Sequence, residues 1–411
     1  MAKKRPVASR SRGSQKTAAD PSPQPNLKRA VDLVMKLMAI PGKSCQEGKV
    51  SEFVEQQLLK AGAKPSMIER DSAHLRTPSR GETGNLIFKL PGTYRAPRRM
   101  FSAHLDTVPI CVGSKPVKRK RIVTSADPET GLGADDRAGV GATLTAAIEI
   151  LEQGLPHPPL TFCWFVQEEI GLQGSRLIKK SLLGKPKLAF NWDGGAAEKL
   201  TVGATGGYRM EILVRGVASH AGGAPECGVS AISIASIAIA DLQKRGWHGL
   251  VKKGRKTGTS NVGVFRGGWA TNVVTDRVDL RAEARSHDSK FRKQILDEIE
   301  KAFYRAAKSV KNVAGTTGSV DIKSRLDYES FMLEPDEPCV IAAATAVRSV
   351  GREPVHAVAN GGVDANWITH HGIPAVTIGC GQKNQHMVTE ALDLEGYEDA
   401  CRIALRLATG A

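Results

Sequence analysis

The sequence lacks a long hydrophobic run and has no closely spaced cysteine pair. No segment approaches the roughly 18 consecutive apolar residues that a membrane span needs, so we expect no membrane partner. The seven cysteines are scattered and include no Cys-x-x-Cys pair, which argues against a disulfide framework or a cysteine zinc finger. The opening segment Met1–Pro6 is charged without an apolar segment behind it, unlike a secretory signal. We therefore expect a cytoplasmic protein with reduced thiols.

Aromatic residues are also scarce, at 5% of the chain, although the formal net charge is +16. Residues 1–25 contain six Lys and Arg residues against Asp20 alone, and further basic clusters lie at 115–121 and 252–256. We expect a disordered basic tail over residues 1–25, since it has little to bury, and we interpret the two clusters as solvated loops. Because no aromatic residues interleave with these charges, we expect no specific nucleic-acid partner.

With 411 residues, the chain exceeds what one hydrophobic core usually supports, so we expect two domains. Near-continuous apolar strands such as Leu160–Val166 alternate with helical patterns over residues 26–205, which indicates a parallel-rich sheet covered by helices. Residues 206–331 have the order β-α-β-β-α-β, typical of a ferredoxin-like α+β domain. The first pattern returns over residues 332–411. The sequence thus predicts a three-layer α/β/α domain with a smaller domain inserted into it.

Carboxylates and histidines follow the predicted strands or precede a helix in five separate segments. These segments contribute His104 and Asp106, Asp135 and Asp136, Glu168 and Glu169, Asp193, and His386. Because ligands of an open parallel sheet collect beyond the carboxyl ends of its strands, we expect these side chains to meet at one edge. Two imidazoles and several carboxylates form a ligand set typical of a two-zinc hydrolase.

Each segment taken alone has a simpler interpretation. Asp135 and Asp136 could cap a helix, Asp193 before two glycines could form a turn, and Glu168-Glu169 could be solvated acids at a strand end. The clustering of acids behind buried strands is not explained in this way, because unpaired buried charges are costly without a counter-cation. The joint pattern therefore favours a metal site.

The expected chemistry needs two different carboxylates beside the metal ions. Two zinc ions about 3.5–4 Å apart lower the pKa of a bridging water and polarise an amide carbonyl. A carboxylate that is not a ligand then moves the proton to the leaving amine. Glu168 and Glu169 can divide these tasks, since consecutive residues after a strand point in different directions.

In their order along the chain, the motifs resemble a known family of zinc exopeptidases. The motifs are His-x-Asp-Thr-Val-Pro (104–109), Gly-Ala-Asp-Asp (133–136), Glu-Glu-x-Gly (168–171), Asp193, Ser-His-Ala-Gly (219–222), Gly-Gly-x-Asp-Ala (361–365) and His386. From about Asn26 onward the chain is similar to the co-catalytic zinc exopeptidases, which include peptidase T, glutamate-type carboxypeptidases, succinyl-diaminopimelate desuccinylase and aminoacylase. The segments 361–365 and His386-x-x-x-Glu390 are most similar to the peptidase T branch.

This resemblance implies a fold and a metal centre. The fold would be a phosphorylase/hydrolase-like three-layer zinc-peptidase domain whose inserted domain is a lid and a dimerisation surface, giving a homodimer. Two Zn²⁺ ions per subunit, with Co²⁺ or Mn²⁺ as possible substitutes, would be bridged by Asp135. His104 and Asp193 would complete one site, and Glu169 and His386 the other. The peptide between Asp135 and Asp136 could be cis.

The resemblance also implies roles around the metal ions. Glu168 would be the catalytic base, and Asp106 would orient the imidazole of His104. In the lid, His220 would stabilise the oxyanion, while Asn272 and Arg285 would hold the substrate carboxylate, assisted by backbone amides near Gly361 and Gly362. Two alternatives stay open, since His220 could cap a local turn and Arg285 could be an ordinary surface cation.

The leading hypothesis from the sequence is a tripeptide aminopeptidase that acts on small peptides. A carboxypeptidase or N-acyl-amino-acid amidohydrolase of the same family is the alternative, because Asn360 stands where peptidase T relatives tend to carry Arg and because deacylases share Ser-His-Ala-Gly. A non-catalytic binding protein would be expected to have lost ligands, and none is substituted. A dinucleotide-binding enzyme, suggested by Gly131-Leu132-Gly133, is disfavoured because Asp136 occupies the third-glycine position.

Overall fold

Helices and strands alternate along most of the chain in this computed structural model, which describes residues 22–410. Residues 1–21, where most of the predicted disordered tail lies, are outside the described residues, as is residue 411. The described helices are, in chain order, α1 (Leu27–Ala39), α2 (Gly48–Lys60), α3 (Ala73–Arg76), α4 (Ala134–Gln153), α5 (Gln173–Arg176), α6 (Ala231–Lys244), α7 (Ser289–Ser309), α8 (Pro338–Ser349), α9 (Ala365–His370) and α10 (Leu394–Thr409). The described strands are β1 (Ile68–Arg70), β2 (Leu86–Leu90), β3 (Arg99–His104), β4 (Pro116–Arg119), β5 (Ile122–Ser125), β6 (Leu160–Phe165), β7 (Leu188–Trp192), β8 (Lys199–Ala204), β9 (Gly206–Arg215), β10 (Gly249–Lys253), β11 (Lys256–Gly267), β12 (Arg277–Ser286), β13 (Ser319–Tyr328), β14 (Phe331–Met332), β15 (Val355–Ala359), β16 (Ala375–Ile378), β17 (Gln382–Lys383) and β18 (Ala391–Asp393).

The larger domain is built around a mixed sheet with the order β1-β2-β6-β3-β7-β16-β8-β14, in which β15 also pairs with β8. The neighbouring strands β6, β3, β7 and β16 are parallel, whereas β2 and β14 pair antiparallel with their neighbours. Every residue of β6 is buried, as its unbroken apolar run predicts, and helices α4 and α8 pack against the central strands. The predicted α/β class with a large helix-covered sheet is confirmed.

The first turn of helix α4 carries Asp135, one of the predicted metal ligands. Its residues from Ala134 to Ile150 are all buried, because α1, α10 and the sheet surround it. Its first turn departs from helical geometry at Asp135 (φ −83°, ψ 105°) and Asp136 (φ −117°, ψ 38°). The peptide between these two residues is cis, as the resemblance suggested.

The inserted domain is a five-stranded antiparallel sheet in the order β10-β11-β12-β9-β13. Helices α6 and α7 pack together and against the sheet, around a separate core that includes Ile234, Leu280, Phe291 and Phe303. Without β10, the strand order is that of a ferredoxin-like β-α-β-β-α-β unit. Strand β10 was not expected, because its lysines were interpreted as a loop.

Both basic clusters that the sequence analysis interpreted as loops form β-hairpins. Residues 252–256 belong to the β10–β11 hairpin, and residues 115–121 form much of the β4–β5 hairpin. The loop interpretation was wrong because these strands are short and carry exposed charges, which hides the alternating pattern. Strands β4 and β5 join β18 and β17 in a small sheet that holds the segment containing His386.

The chain enters and leaves the inserted domain through two adjacent segments. It enters at Thr205, after β8, and returns through Glu329 to β14, which pairs with β8 through Phe331 and Ala204. The Asn366 side chain of α9 donates hydrogen bonds to the backbone oxygens of Thr205, at 2.9 Å, and Glu329, at 2.6 Å. The larger domain therefore holds both connections through one side chain.

Within residues 22–410, no helix combines the length and the apolar character that a membrane crossing requires.

Phe101 lies at the centre of the main core, in contact with the rings of Phe162, Phe190 and Trp192 at centroid distances of 5.2–5.5 Å. We predict that Phe101→Ala lowers the free energy of unfolding by about 3–5 kcal/mol, because it leaves a cavity among fixed aromatic rings. Urea unfolding followed by tryptophan fluorescence measures the change. The exposed Tyr304 is the control, and Tyr304→Ala should change the free energy by about 1 kcal/mol or less. Equal effects of the two substitutions would contradict the prediction.

Candidate metal centre

Three neighbouring strands deliver candidate ligands to one edge of the main sheet. Strand β3 ends at His104, β6 is followed by Glu168 and Glu169, and β7 is followed by Asp193. These strands are adjacent and parallel, so their carboxyl ends lie together, as the sequence predicted. His386 approaches from the segment between β17 and β18, and Asp135 from the start of α4.

Asp135 lies between the two histidines. Its Oδ1 is 3.1 Å from Nε2 of His104, and its Oδ2 is 3.4 Å from Nε2 of His386. Nε2 of His386 is also 2.9 Å from Oε2 of Glu169. Each carboxylate oxygen of Asp135 thus faces a different imidazole, which is the arrangement that a carboxylate bridging two cations requires.

Candidate ligand atoms form two overlapping groups, and Asp135 belongs to both. The ligand atoms of His104, Asp135 and Glu169 lie within 4.8 Å of one another, as do those of Asp135, Asp136 and Asp193. The structure therefore brings together the five residues that the sequence analysis predicted as ligands, around Asp135. Imidazole and carboxylate donors of this kind suit Zn²⁺, and also Co²⁺ or Mn²⁺.

Asp136 was not predicted as a ligand, and its carboxylate already has donors within the protein. Oδ2 accepts the backbone N–H of His104 at 3.1 Å, while Oδ1 accepts the N–H of Gly139 at 3.0 Å and the Gln382 side chain at 2.8 Å. These hydrogen bonds make Asp193 the better candidate to complete the second group.

The electrostatics of the cluster favour bound cations. Burial raises the pKa of Glu168 well above its usual range, and burial together with the charge of Asp135 raises that of Asp193 to about 8. Hydrogen bonds to Asp135 and Glu169 raise the pKa of His386 to about 10. Burial opposes ionisation of Asp135, but hydrogen bonds from His104 and His386 lower its pKa below the usual value. Bound dications would balance this buried negative charge, so the residues present fit a metal centre.

The carboxylate of Asp106 mainly holds the segment that carries the two glutamates. It accepts the backbone N–H groups of Glu168, at 2.9 Å, and Glu169, at 3.2 Å, and the hydroxyl of Ser44, at 2.6 Å. Its Oδ1 is 3.5 Å from Nδ1 of His104, whereas the backbone oxygen of Asp106 is nearer, at 3.0 Å. Asp106 therefore contacts His104, as expected, and also fixes the glutamate segment, which was not expected.

Sequence reasoning assigned no role to two further buried glutamates. Oε1 of Glu47 accepts the backbone N–H groups of Cys45 and Gln167, at 2.8 and 3.0 Å, next to the glutamate segment. Oε1 of Glu390 accepts the backbone N–H of Asp135 at 2.9 Å. The spacing of Glu390, four residues after His386, was a visible signal, whereas nothing in the local sequence distinguishes Glu47 from a surface acid.

The predicted residues of the inserted domain form two groups. Nδ1 of the exposed His220 accepts the N–H groups of Gly222 and Gly223, at 3.2 and 2.9 Å. This nitrogen therefore caps a local turn, as the alternative interpretation of His220 predicted, while Nε2 is not part of that turn. Its neighbour Ala221 donates its N–H to the backbone oxygen of Asn272 at 2.9 Å, which brings His220 and Asn272 together.

The second group lies near the connection between the domains. Arg285 forms an ion pair with Glu283 at 2.9 Å and lies in the same row of the sheet as Tyr328. A side chain at Gly362 would meet the Tyr328 ring at 2.8 Å, while Gly361 has open space. Across residues 22–410, neither group shares a hydrogen bond or ion pair with the five candidate ligands.

The mixed α/β domain carries a histidine–carboxylate cluster at the ends of its central strands, and an α+β unit is inserted into it. Residues 100–410 match the model of peptidase family M20/M25/M40, and the chain belongs to that family, which makes it a metallopeptidase.

Three proteins illustrate the likeness. Protein YqjE of Bacillus subtilis (strain 168) is 30% identical over 371 residues, which cover 90% of this chain and 95% of YqjE. A tripeptidase from Staphylococcus aureus has a similar structure, with a TM-score of 0.84, 28% identity, and coverage of 94% of this chain and 99% of that one. The aminopeptidase PepT from Bacillus cereus has a TM-score of 0.79 and 30% identity, and the match covers 94% of this chain and 98% of PepT.

The buried acids make a prediction about pH. Burial raises the pKa of Asp193 to about 8 and that of Asp364 to about 7, above unfolded-state values of about 4. Between these pKa values the folded state binds more protons than the unfolded state. The free energy of unfolding therefore falls as the pH rises from about 4 to about 8. We predict that the melting temperature of the metal-free protein falls from about pH 5 to pH 8 and that zinc reverses the fall. Scanning calorimetry with chelator or with zinc tests this.

Asp193→Asn is the matched control, because it removes one of these acids without changing its size. The melting temperature of the metal-free variant should depend less on pH than that of the metal-free wild type. A melting temperature of the metal-free wild type that is constant or rises over this range would contradict the prediction.

Proposed function

We propose that this metallopeptidase is a di-zinc tripeptide aminopeptidase that acts on small peptides. The observation that carries the proposal is the carboxylate of Asp135, which faces His104 with one oxygen and His386 with the other. The likeness to the S. aureus tripeptidase and the B. cereus aminopeptidase PepT supports the choice of substrate. Co²⁺ or Mn²⁺ are possible substitutes for zinc. A cytoplasmic location remains a prediction from the sequence.

In the proposed site, a zinc pair would supply a water of lowered pKa and would polarise the scissile carbonyl. Asp135 would hold both ions, His104 and Asp193 one of them, and Glu169 and His386 the other. This assignment leaves the carboxylate of Glu168 free for proton transfer. The hydrogen bond from its backbone N–H to Asp106 fixes its position.

Glu168 is the proposed base. Burial raises its pKa above the usual range, and its carboxylate is not assigned to a metal ion, so it is free to accept a proton and then release it. In the proposed step, Glu168 takes the proton of the attacking water and delivers it to the nitrogen of the leaving amine. The water oxygen first bonds to the carbonyl carbon, and the peptide bond to that nitrogen breaks when the carbonyl double bond re-forms.

The inserted domain would act as a lid that brings further groups to the substrate. Because Nδ1 of His220 accepts two N–H groups, its proton resides on Nε2, which is then available to donate to an oxyanion. Arg285 would hold the substrate carboxylate together with the backbone near Gly361 and Gly362. Asn272 was predicted to share this role, but it precedes β12 whereas Arg285 lies at the other end of that strand, so Asn272 would act beside His220 instead. Closure of this domain would exclude water from the site.

A carboxypeptidase or an N-acyl-amino-acid amidohydrolase of the same family is the second candidate. The observation that favours it is Asn360, whose Oδ1 is 3.4 Å from Nε2 of His287 and which replaces the Arg expected in the peptidase T branch. Mass spectrometry of tripeptides, dipeptides and N-acyl amino acids incubated with the zinc-loaded protein separates the two. Release of the amino-terminal residue of tripeptides supports the proposal, whereas release of only the carboxyl-terminal residue or of the acyl group overturns it.

We predict that Glu168→Gln retains about two zinc ions and loses at least about 100-fold in turnover, since the amide cannot accept the proton. Elemental analysis and initial rates on the best tripeptide measure the two quantities. The exposed Glu353 is the control, and Glu353→Gln should leave both unchanged. If Glu168→Gln turns over at the wild-type rate, Glu168 is not the base.

We also propose that the inserted domain forms a homodimer. On α6, Ile232 and Ile237 are exposed. Among residues 22–410, residues 261–267 of β11 have a strand partner on one side alone, since the pairing of β10 with β11 ends at Ser260. An antiparallel edge strand can pair with its own copy about a twofold axis, and the exposed isoleucines of α6 would extend such a contact. A second copy of this chain is therefore the proposed partner.

We predict that Ile237→Lys converts the dimer to a monomer, because it places a charge within the apolar contact. Light scattering coupled to size-exclusion chromatography gives the mass. The matched control is Ile341→Lys on α8 of the larger domain, where the isoleucine is similarly exposed and the mass should not change. A monomeric wild type, or an Ile237→Lys variant that stays dimeric, would contradict the proposed interface.

A further inference from the structure

Glu390 is a buried glutamate whose carboxylate is directed at the backbone of the segment that carries Asp135. Oε2 accepts the N–H groups of Leu132, at 2.8 Å, and Gly133, at 2.7 Å, while Oε1 accepts the N–H of Asp135, at 2.9 Å. The residue is 1% exposed. A carboxylate that accepts three backbone N–H groups within a protein forms strong, charge-assisted hydrogen bonds.

The start of α4 needs such a distant acceptor. The residue before the helix is Gly133, which has φ +78° and no side chain to accept the first N–H groups. Asp136 caps the regular part of the helix by accepting the N–H of Gly139, whereas the N–H of Asp135 is directed at Glu390. Glu390 supplies the acceptor from a segment more than 250 residues further along the chain.

The fit between the two segments is tight. A side chain at Gly131 would come within 3.1 Å of Oε2 of Glu390 and 2.9 Å of the sulfur of Cys111. The Cys111 thiol itself lies 3.4 Å from Oε2 of Glu390. The carboxylate therefore has little freedom to move relative to the segment that it holds.

The same glutamate is closely linked to His386. The N–H of Glu390 donates to the backbone oxygen of Met387 at 3.0 Å, which closes a turn directly after His386. Strand β18 begins at the next residue and is fixed by its pairing with β5. Glu390 thus connects the segment of His386 to that of Asp135, whose side chains approach to 3.4 Å.

We propose that Glu390 is a positioning residue that sets the separation of Asp135 and His386 and thereby determines the affinity of the site for metal ions. The inference rests on the metal site of the proposed function. It differs from a purely structural role, in which Glu390 would stabilise the fold without changing metal affinity.

The test is Glu390→Gln in the full-length protein, with zinc affinity measured by competition with a chelator. The glutamine has the same size, but its NH₂ group cannot accept, so at least one of the three backbone N–H groups loses its partner. We expect the zinc dissociation constant to rise about 10- to 100-fold, as for other groups that orient metal ligands. Glu395→Gln, an exposed glutamate nearby, is the control and should bind zinc as the wild type does.

Amide hydrogen exchange of the metal-free proteins gives a second readout. Exchange at Leu132, Gly133 and Asp135 should be faster in Glu390→Gln than in the wild type. If Glu390→Gln does not fold, Glu390→Asp replaces it, because it keeps the charge and shortens the reach. A folded variant with wild-type zinc affinity overturns the inference and leaves the proposed function intact. A wild type that binds no metal overturns both.

Discussion

The metal centre depends on buried carboxylates that accept backbone N–H groups from the segments carrying the ligands. Asp136 holds the N–H of His104, Asp106 holds those of Glu168 and Glu169, and Glu390 holds that of Asp135. A ligand side chain can move only as far as its own backbone allows, so these hydrogen bonds fix the relative positions of segments that are far apart in the sequence. Glu47 extends the same principle to Gln167, next to the proposed base.

This way of holding the site has an electrostatic cost. Each anchoring carboxylate adds a negative charge to a region that already contains the ligand carboxylates. Burial raises the pKa of the anchors Glu47 and Asp136 and of the candidate ligand Asp193. Buried Arg137, which follows Asp136, is a nearby cation of the protein, and burial lowers its pKa to about 10. A pair of dications would offset much of the remaining charge. Metal binding would therefore stabilise the fold.

The sequence was sufficient to predict the elements that carry the ligands, and it was less informative about the contacts between them. Strand ends such as His104 and Asp193 could be recognised because an apolar run stops where a polar residue begins. The β4–β5 and β10–β11 hairpins were interpreted as loops, because exposed lysines and arginines replace the alternating pattern. Glu47 and Glu390 escaped notice as anchors, since their partners are backbone amides that no side-chain motif records. The positions of His220 and Arg285 depend on how two domains meet, which local patterns do not encode.

The attachment of the inserted domain limits how it can move. Its two connections, at Thr205 and Glu329, run side by side, and the amide of Asn366 bonds to both. Closure of the proposed lid would therefore be a hinge rotation about these two neighbouring connections, because sliding or twisting would break the hydrogen bonds that link them. The axis of that rotation would lie beside α9, the helix that follows the Gly361–Asp364 segment.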